Sequence, residues 1–259
     1  MKNVTLDRIS KAFGPKQVLK GVSMDFPPGK ISVIIGPSGC GKSTVLRLLL
    51  GLIPPDDGAI FVGEQDVTRF NSLEWQRMRE SMGMVFQSGA LFDSMTVGEN
   101  VSFVLREHTR MPAEDMARLV SEKLAVVGLA GTENLYPTEL SGGMQKRVAI
   151  ARAIVRNPSL ILYDEPTTGL DPATSTIIED LIVRVSKESG AASVVVTHQL
   201  STIFRTADRI TMLHQGRVLE SGTPEEMKES PEPMVSGFLR GEPHYDAANA
   251  PRAQREDER

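Results

Sequence analysis

A glycine-rich stretch with one lysine is the part of the sequence best suited to chemistry. Residues 36–43 read GPSGCGKS and follow the apolar run ISVII. Its glycines let backbone N–H groups converge on phosphate oxygens, and a helix beginning at Lys42 adds the positive end of its dipole. Lys42 would reach the β- and γ-phosphates of a nucleotide, and the Ser43 hydroxyl would ligate Mg²⁺. The strand and helix on either side favour this prediction over a glycine-rich turn with an incidental lysine.

Two carboxylates end a second apolar run, LILYDE at residues 160–165. Charged groups at the end of a buried strand are costly to desolvate unless a metal ion or a partner lies there. We predict that Asp164 holds Mg²⁺ and that Glu165 polarises a water for attack on a phosphoryl group. Taken alone, the pair would fit a solvated strand end with capping acids equally well. The phosphate loop upstream favours the metal and the base.

Gln87 and His198 each end a further predicted strand, in the runs MGMVFQ and SVVVTH. Strands of such sheets deliver their carboxyl ends to the nucleotide crevice. This position favours a γ-phosphate sensor for His198 and, for Gln87, an amide that contacts Mg²⁺ or the attacking water. A structural histidine and a surface glutamine are the alternatives, and each would be preferred if its residue stood alone.

A second pair of glycines follows a serine in LSGG, residues 140–143, directly before a helical run. A helix that begins there offers bare backbone N–H groups and a hydroxyl, which again suit a phosphate. Lys42 and its loop already bind the phosphates in this scheme. Two phosphate-binding elements on different lobes are explained if one subunit's loop and another subunit's LSGG segment enclose the same nucleotide.

The elements that would position these residues alternate between strands and helices, which predicts an α/β fold. Alternating apolar residues in NVTLDRIS and QVLKGVSMDF predict two antiparallel strands near the N-terminus. From residue 96 to residue 157 the pattern is mostly helical and lacks strands. We therefore predict a core of residues 1–87 and 159–225 with a mixed sheet, an inserted helical subdomain at 88–158, a C-terminal helix at 226–240 and a flexible tail at 241–259.

Composition and charge limit the functions that these motifs can serve. The 259 residues carry 29 Lys plus Arg against 33 Asp plus Glu, a net charge of −4, so we expect no nucleic-acid partner. Cys40 is the only cysteine, which excludes an intramolecular disulfide and fits a reducing compartment. The most apolar helical stretch, TVLRLLLGLI, contains Arg47 and is far shorter than the roughly 20 residues of a membrane span. We expect a chain that is soluble by itself.

The motifs taken together resemble the ATP-binding cassette ATPases. GPSGCGKST, the glutamine at 87, LSGG, LILYDEP, GLDP and the TH at 197–198 have that family's order and spacing, over residues 1–240. The resemblance implies a P-loop NTPase core, ATP and Mg²⁺ as cofactors, and a head-to-tail homodimer with two ATPs at its interface. The implied catalytic residues are Lys42, Gln87, Glu165 and His198, and the implied Mg²⁺ ligands are Ser43, Gln87 and Asp164. The implied nucleotide-binding residues are Phe13, which would stack on adenine, Gly36, Ser38, Gly39, Cys40, Gly41, Lys42, Ser43 and Thr44, and from the other subunit Ser141, Gly142, Gly143, Met144 and Asp171.

Met144 departs from the usual glutamine of the family's LSGGQ. A methionine cannot make the side-chain hydrogen bonds of a glutamine, so nucleotide contact there would rely on Ser141 and backbone N–H groups. The same methionine resembles one subgroup, the ATPases of Mla- and Mce-type lipid transporters. Residues 86–109, FQSGALFDSMTVGENVSFVLREHT, and residues 230–241, SPEPMVSGFLRG, are similar to that subgroup as well.

This subgroup implies a function and a set of partners. The chain would power phospholipid transport across or between membranes of the cell envelope, from the cytoplasmic face of the inner membrane. Transmembrane permease subunits would bind near the segment after Gln87. An Mce-type lipid-binding protein and a small regulatory protein are further expected partners.

Three other functions share part of these motifs. The ATPase of an amino-acid or other small-solute importer has nearly the same set, and Met144 with the stretch 88–97 speaks against it. Non-transport ABC ATPases resemble tandem cassettes or carry long coiled-coil insertions, whereas this sequence has one cassette and no heptad run. A small-molecule P-loop kinase would explain GPSGCGKS but would leave LSGG, GLDP and His198 without a role.

Overall fold

Two sheets and the helices around them make up residues 2–242, which the computed structural model describes. The strands are β1 (Val4–Phe13), β2 (Lys16–Phe26), β3 (Ile31–Ile35), β4 (Asp57–Val62), β5 (Gln65–Asp66), β6 (Met82–Val85), β7 (Leu160–Asp164), β8 (Ala192–Val196), β9 (Arg209–His214) and β10 (Arg217–Gly222). The helices are α1 (Lys42–Leu49), α2 (Ser72–Arg79), α3 (Val97–His108), α4 (Ala113–Val126), α5 (Gly142–Ile154), α6 (Pro172–Ser189), α7 (Leu200–Thr206), α8 (Pro224–Lys228) and α9 (Pro233–Arg240), with a 3₁₀ turn at Pro137–Glu139. Residues 243–259, which are nearly all of the predicted tail at 241–259, lie outside the described residues.

The larger sheet has six strands in the order β10-β9-β3-β8-β7-β6. Its strands run parallel except β10, which pairs antiparallel with β9. Every residue of β3 and β8 is buried, as expected of apolar strands covered on both faces. The sheet is therefore mixed, as predicted. Because the parallel strands share one direction, the residues that follow Ile35, Val85, Asp164 and Val196 meet at one edge.

The smaller sheet is antiparallel, in the order β2-β1-β4-β5. Its strands β1 and β2 confirm the two antiparallel strands predicted near the N-terminus. The sequence pattern did not predict β4, which has one fully buried residue, Ile60, and so lacks a clear apolar alternation. Leu6 of β1, Val45 and Leu48 of α1, and Val194 of β8 belong to one hydrophobic cluster. The helix that follows the phosphate loop is thereby packed between the two sheets.

The chain between β6 and β7 forms α3, α4 and α5, and this described stretch contains no strand. A capping box begins α3, with Thr96 and Glu99 each accepting a hydrogen bond from the other's backbone N–H. Helix α5 is buried along most of its length and packs against α3, α4 and α6. This arrangement agrees with a helical insertion, and its boundaries at 88 and 158 stay a prediction.

The C-terminal region differs from the single helix predicted for residues 226–240. The structure divides it into α8 and α9, separated at Glu229–Glu232. Pro231 and Pro233 lack the backbone N–H that a continuous helix needs at these positions, and each proline restricts the residue before it. Thr223 caps α8 together with Glu226.

Candidate nucleotide-binding and catalytic site

The phosphate loop lies between the end of β3 and the start of α1, as predicted. Gly36, with φ of 141°, would place a Cβ 2.1 Å from the Leu213 carbonyl oxygen. Gly41, with φ of 115°, would place one 2.6 Å from Leu19 Cδ2. Only glycine fits these close approaches. Gly41 is also the N-cap of α1 and gives no side-chain cap, so the first N–H groups of the helix have no capping side chain as a competitor.

Lys42 lies inside its own loop, where its Nζ donates hydrogen bonds to the carbonyls of Gly36 at 2.7 Å and Pro37 at 3.0 Å. The side chain thus points toward the space that the loop encloses. A cleft of about 320 Å³ opens beside it. The lining residues are Phe13, Lys16, Val18, Gly39, Gly41, Lys42, Ser43 and Thr44.

The residues that line the cleft include an aromatic ring and hydrogen-bond donors. Phe13 ends β1 and is 44% exposed, with Lys11 Nζ 5.9 Å from its ring centroid, so the uncovered face of the ring could stack on a flat ligand. Lys16, directly after the turn at residues 14–15, adds a cation that the sequence reasoning missed. The sequence does contain a signal for it, since a lysine directly follows the turn after Phe13. Cys40 is buried, and burial raises the pKa of its thiol, so this residue offers the cleft its backbone only.

The carboxylates of Asp164 and Glu165 lie at the same edge of the larger sheet as the phosphate loop. Asp164 is the last residue of β7. Burial raises the pKa of Asp164, the neighbouring Glu165 raises it further, and Arg47 and Lys42 act in the opposite direction. Lys42 and Asp164 are therefore close enough to interact electrostatically, as a shared phosphate and metal site requires.

Glu165 is held by three hydrogen bonds. Its backbone N–H donates to the Val196 carbonyl at 2.8 Å, which ties it to the end of β8. Its carboxylate accepts from His198 Nδ1 at 2.8 Å and from Thr168 Oγ1 at 3.1 Å. The structure thus brings the two predicted residues, Glu165 and His198, into direct contact. Sequence reasoning missed Thr168, although a threonine three residues after an acid is a recurring turn pattern.

His198 and Gln87 do not end strands, which corrects the prediction for both. Strand β8 ends at Val196 and β6 ends at Val85, so each residue lies two positions further along, in the loop at the sheet edge. Loop backbone lets these side chains turn toward the edge instead of alternating across the sheet. The Gln87 side chain is exposed, and the Gln87 backbone carbonyl accepts a hydrogen bond from Lys146 Nζ of α5.

The LSGG segment forms the start of α5. Ser141 is the N-cap, and its Oγ accepts a hydrogen bond from the Met144 backbone N–H at 3.3 Å. Gly142 is exposed, whereas Met144 is half-buried against the core, in keeping with a packing role. Among the described residues that line the Lys42 cleft, residues 141–144 do not occur. One chain therefore does not unite the two predicted phosphate-binding elements.

Asp171 is the N-cap of α6 and faces solvent. Its carboxylate accepts hydrogen bonds from the backbone N–H groups of Ala173 and Thr174 and from the Thr174 hydroxyl. The Thr174 hydroxyl and N–H groups lower the pKa of Asp171. A charged, fixed carboxylate at this place can contact a second subunit without further ordering.

The family model described as ABC transporter matches residues 19–168. The chain belongs to the ABC transporter family. Within that family it is 40% identical to the intermembrane phospholipid transport system ATP-binding protein MlaF of Haemophilus influenzae, over 93% of this chain and 90% of the relative. It is 44% identical to the chloroplastic protein TRIGALACTOSYLDIACYLGLYCEROL 3 of Arabidopsis thaliana, over 90% of this chain and 72% of that protein.

A solved ABC cassette has the same fold. The dimeric post-hydrolysis structure of the ATP-binding cassette MJ0796, bound to ADP and Pi, matches with a TM-score of 0.77 and 34% identity. The match covers 85% of this chain and 98% of the cassette. The predicted α/β fold class of an ABC ATPase is confirmed, and the P-loop kinase alternative is wrong.

As an ABC transporter ATPase, the chain binds and hydrolyses ATP. ABC cassettes act as dimers and as parts of membrane transporters. Within residues 2–242, no helix is long and apolar enough to cross a membrane.

Proposed function

We propose that this ATPase powers phospholipid transport between membranes of the cell envelope, from the cytoplasmic face of the inner membrane. The observation that supports phospholipid as the cargo is the sequence similarity, over nearly the whole of both chains, to a protein named for intermembrane phospholipid transport. The methionine at position 144 and the segment after Gln87 support the same subgroup.

The residues that meet at the sheet edge would together hydrolyse ATP. Lys42 and the N–H groups of residues 39–44 would bind the β- and γ-phosphates, with Phe13 against the adenine. Glu165, fixed by His198 and Thr168, would orient the attacking water and accept its proton. His198 would hold the carboxylate in place and contact the γ-phosphate.

A magnesium ion fits the oxygen donors at this edge. Hydroxyl, amide and carboxylate oxygens suit Mg²⁺, and these are supplied by Ser43, Gln87 and Asp164. Asp164 carries a pKa raised by burial and by Glu165, an unfavourable placement that a bound cation would relieve. When bound, Mg²⁺ supplies charge neutralisation on the phosphate oxygens.

A second subunit would complete each nucleotide site. Ser141 and Gly142 are exposed at the N-terminus of α5, and Gly143 follows them; none of the three lines the cleft of its own chain. In a head-to-tail homodimer, these groups would meet the γ-phosphate held by the partner's loop, with Asp171 beside them. ATP then favours the closed dimer, and hydrolysis releases it.

The permease surface lies directly after Gln87. A groove of about 430 Å³ there is lined by apolar groups that include Met84, Phe86, Phe92 and Phe103. Phe86 and Phe92 are 42% and 43% exposed, which is unusual for large aromatic side chains that no partner protein covers. A short amphipathic helix of a membrane permease fits such a groove.

The catalytic part of the proposal is tested by Glu165→Gln. The amide keeps the shape of the carboxylate but cannot accept the water's proton, so we expect kcat to fall by at least about 100-fold while ATP binding remains. Hydrolysis assays and nucleotide binding on the purified chain measure both. Unchanged turnover would contradict the role of Glu165, and tight ATP binding by Lys42→Ala would contradict the loop assignment.

The transport part is tested by affinity purification of the chain from its native membranes in mild detergent. We expect a multispan permease, an Mce-type lipid-binding protein, a small regulatory protein and phospholipid to co-purify, as identified by mass spectrometry. A permease with a soluble solute-binding protein would support the importer instead. Purification without any membrane protein would support a non-transport ATPase.

A further inference from the structure

Helix α5 holds the turn that follows β6 through two cationic side chains. Lys146 Nζ donates a hydrogen bond to the Gln87 carbonyl. Arg152 donates from Nη2 to the Gly89 carbonyl at 2.7 Å and from Nη1 to the Ala90 carbonyl at 2.7 Å. Three of the four carbonyls in residues 87–90 are therefore bound by one helix.

The turn needs this support, because two of its residues have left-handed backbone. Gly89 has φ of 76° and Ala90 has φ of 47°. For an alanine this conformation costs about 1 kcal/mol or more and persists only where the surroundings hold it. The guanidinium fork of Arg152 binds the carbonyls of these same two residues, so it stabilises the strained conformation directly.

Burial makes both cations part of the fold and not of its surface. Lys146 is 6% exposed. A buried ammonium is costly unless it is hydrogen-bonded, so the bond to the Gln87 carbonyl fixes the position of both groups. Arg152 is half-buried beneath the turn.

The same helix ends in the LSGG segment. Ser141 caps α5, Lys146 lies just over one turn into it, and Arg152 lies near its last turn, beside Ala90 in the apolar groove. A 13-residue helix is about 20 Å long and behaves as a rigid rod at this scale. One rod thus joins the groove, the Gln87 loop and the LSGG donors.

We propose that Lys146 and Arg152 are positioning residues that clamp the Gln87 turn to α5, so that Gln87 and the LSGG segment move as one unit. The inference deepens the proposed function and rests on it. A permease element in the groove would move the Gln87 amide in its own chain's nucleotide site and the LSGG donors in the partner's site together. Neither residue contacts nucleotide in this scheme; each acts through the turn.

The test compares Lys146→Met with Arg147→Met. Arg147 lies on the same helix but donates to the Val127 and Gly128 carbonyls, away from the turn, and serves as the matched control. For Lys146→Met we expect kcat to fall about 10-fold with the ATP dissociation constant within about twofold, as for a group that orients a functional one. Lys146→Arg, which retains a donor and the charge, should recover most of the rate, and Arg147→Met should leave it unchanged.

Hydrogen exchange gives a second measurement that does not depend on turnover. Amides of residues 87–92 should exchange faster in Lys146→Met and in Arg152→Lys, since a lysine cannot bind two carbonyls through a planar fork. Unchanged exchange there, or an equal loss of kcat in Arg147→Met, would overturn the clamp. A wild-type chain without ATP hydrolysis would contradict the proposed function instead, and the exchange comparison would still decide the inference.

Discussion

Glu165 occupies a backbone conformation that L-residues adopt only when their surroundings hold them there. Its φ is 49°, in the left-handed region, directly after the last residue of β7. Such a conformation costs about 1–3 kcal/mol and is typical of functional positions. Here it is balanced by the hydrogen bonds to the Val196 carbonyl, His198 and Thr168. The strain turns Glu165 out of the strand alternation and toward the nucleotide edge.

Thr168→Val tests whether the threonine orients this carboxylate. Valine keeps the shape of the side chain but removes the donor to Glu165 Oε2, so the carboxylate gains freedom to rotate. We expect kcat to fall by about 10-fold with ATP binding within about twofold. Steady-state kinetics and nucleotide titration on the purified chain measure this. Thr176→Val, which removes a hydroxyl bonded to the Pro172 carbonyl in the exposed first turn of α6, is the control and should leave the rate unchanged.

Sequence reasoning predicted where the candidate residues lie in the fold better than it predicted the contacts that support them. GPSGCGKS and LILYDE carry their chemistry in consecutive residues, so pattern and strand context were sufficient. The bond from Lys146 to Gln87 joins residues 59 positions apart, and a helical lysine is normally a surface residue. The signal was weak: Lys146 lies three residues after Gly143 and four before Ile150, on the face of α5 that the fold buries.

At the scale of elements, α5 and α6 pack more closely than side chains normally permit. A Cβ on Gly143 would lie 2.3 Å from Thr174 Cγ2, and 3.7 Å or more from the other Thr174 atoms. Thr174 also holds Asp171 at the start of α6. The second glycine of LSGG therefore serves packing between two helices of one chain, which sets the position of Asp171 relative to Ser141.

Gly143→Ala should force these helices apart. We expect a loss of about 1–3 kcal/mol in the free energy of unfolding, as for an overpacked contact. Thr174→Ser removes the clashing methyl and keeps the hydroxyl bond to Asp171, so the double variant should recover most of the loss. Urea unfolding of the four chains gives a double-mutant cycle. Additive effects of the two substitutions would show that the clash is absorbed elsewhere.

Sequence patterns predicted the elements where one signal dominates. The strand-loop-helix unit from Ile31 to Leu49 follows from a buried strand, glycines and a helix start, and it forms as expected. The β4 strand was missed because its burial is mixed. The division of the C-terminal helix followed from Pro231 and Pro233, a signal that was available but outweighed by helical periodicity on either side.

At the scale of the whole molecule, the phosphate loop and the LSGG segment do not line the same cleft of one chain, which is why we propose that they belong to different nucleotide sites. The cleft around Lys42 is lined by the smaller sheet and α1, whereas Ser141 begins a helix that is anchored elsewhere. In a symmetric head-to-tail dimer, each of two sites takes one element from each subunit. A mixture of two chains with different defects would then hydrolyse ATP at a different rate from either defective chain alone.

Mixing Lys42→Ala with Ser141→Asp tests this directly. Aspartate keeps the N-cap of α5 but places a negative charge against the γ-phosphate, so each variant alone should be nearly inactive. In an equal mixture, half of the dimers pair unlike chains, and each of these has one intact site of two, so about one quarter of the wild-type rate should return. Hydrolysis assays on the mixture, with each variant and a mixture of wild type and Lys42→Ala as controls, measure it. A mixture as inactive as its components would show that the two elements serve one nucleotide within a single chain.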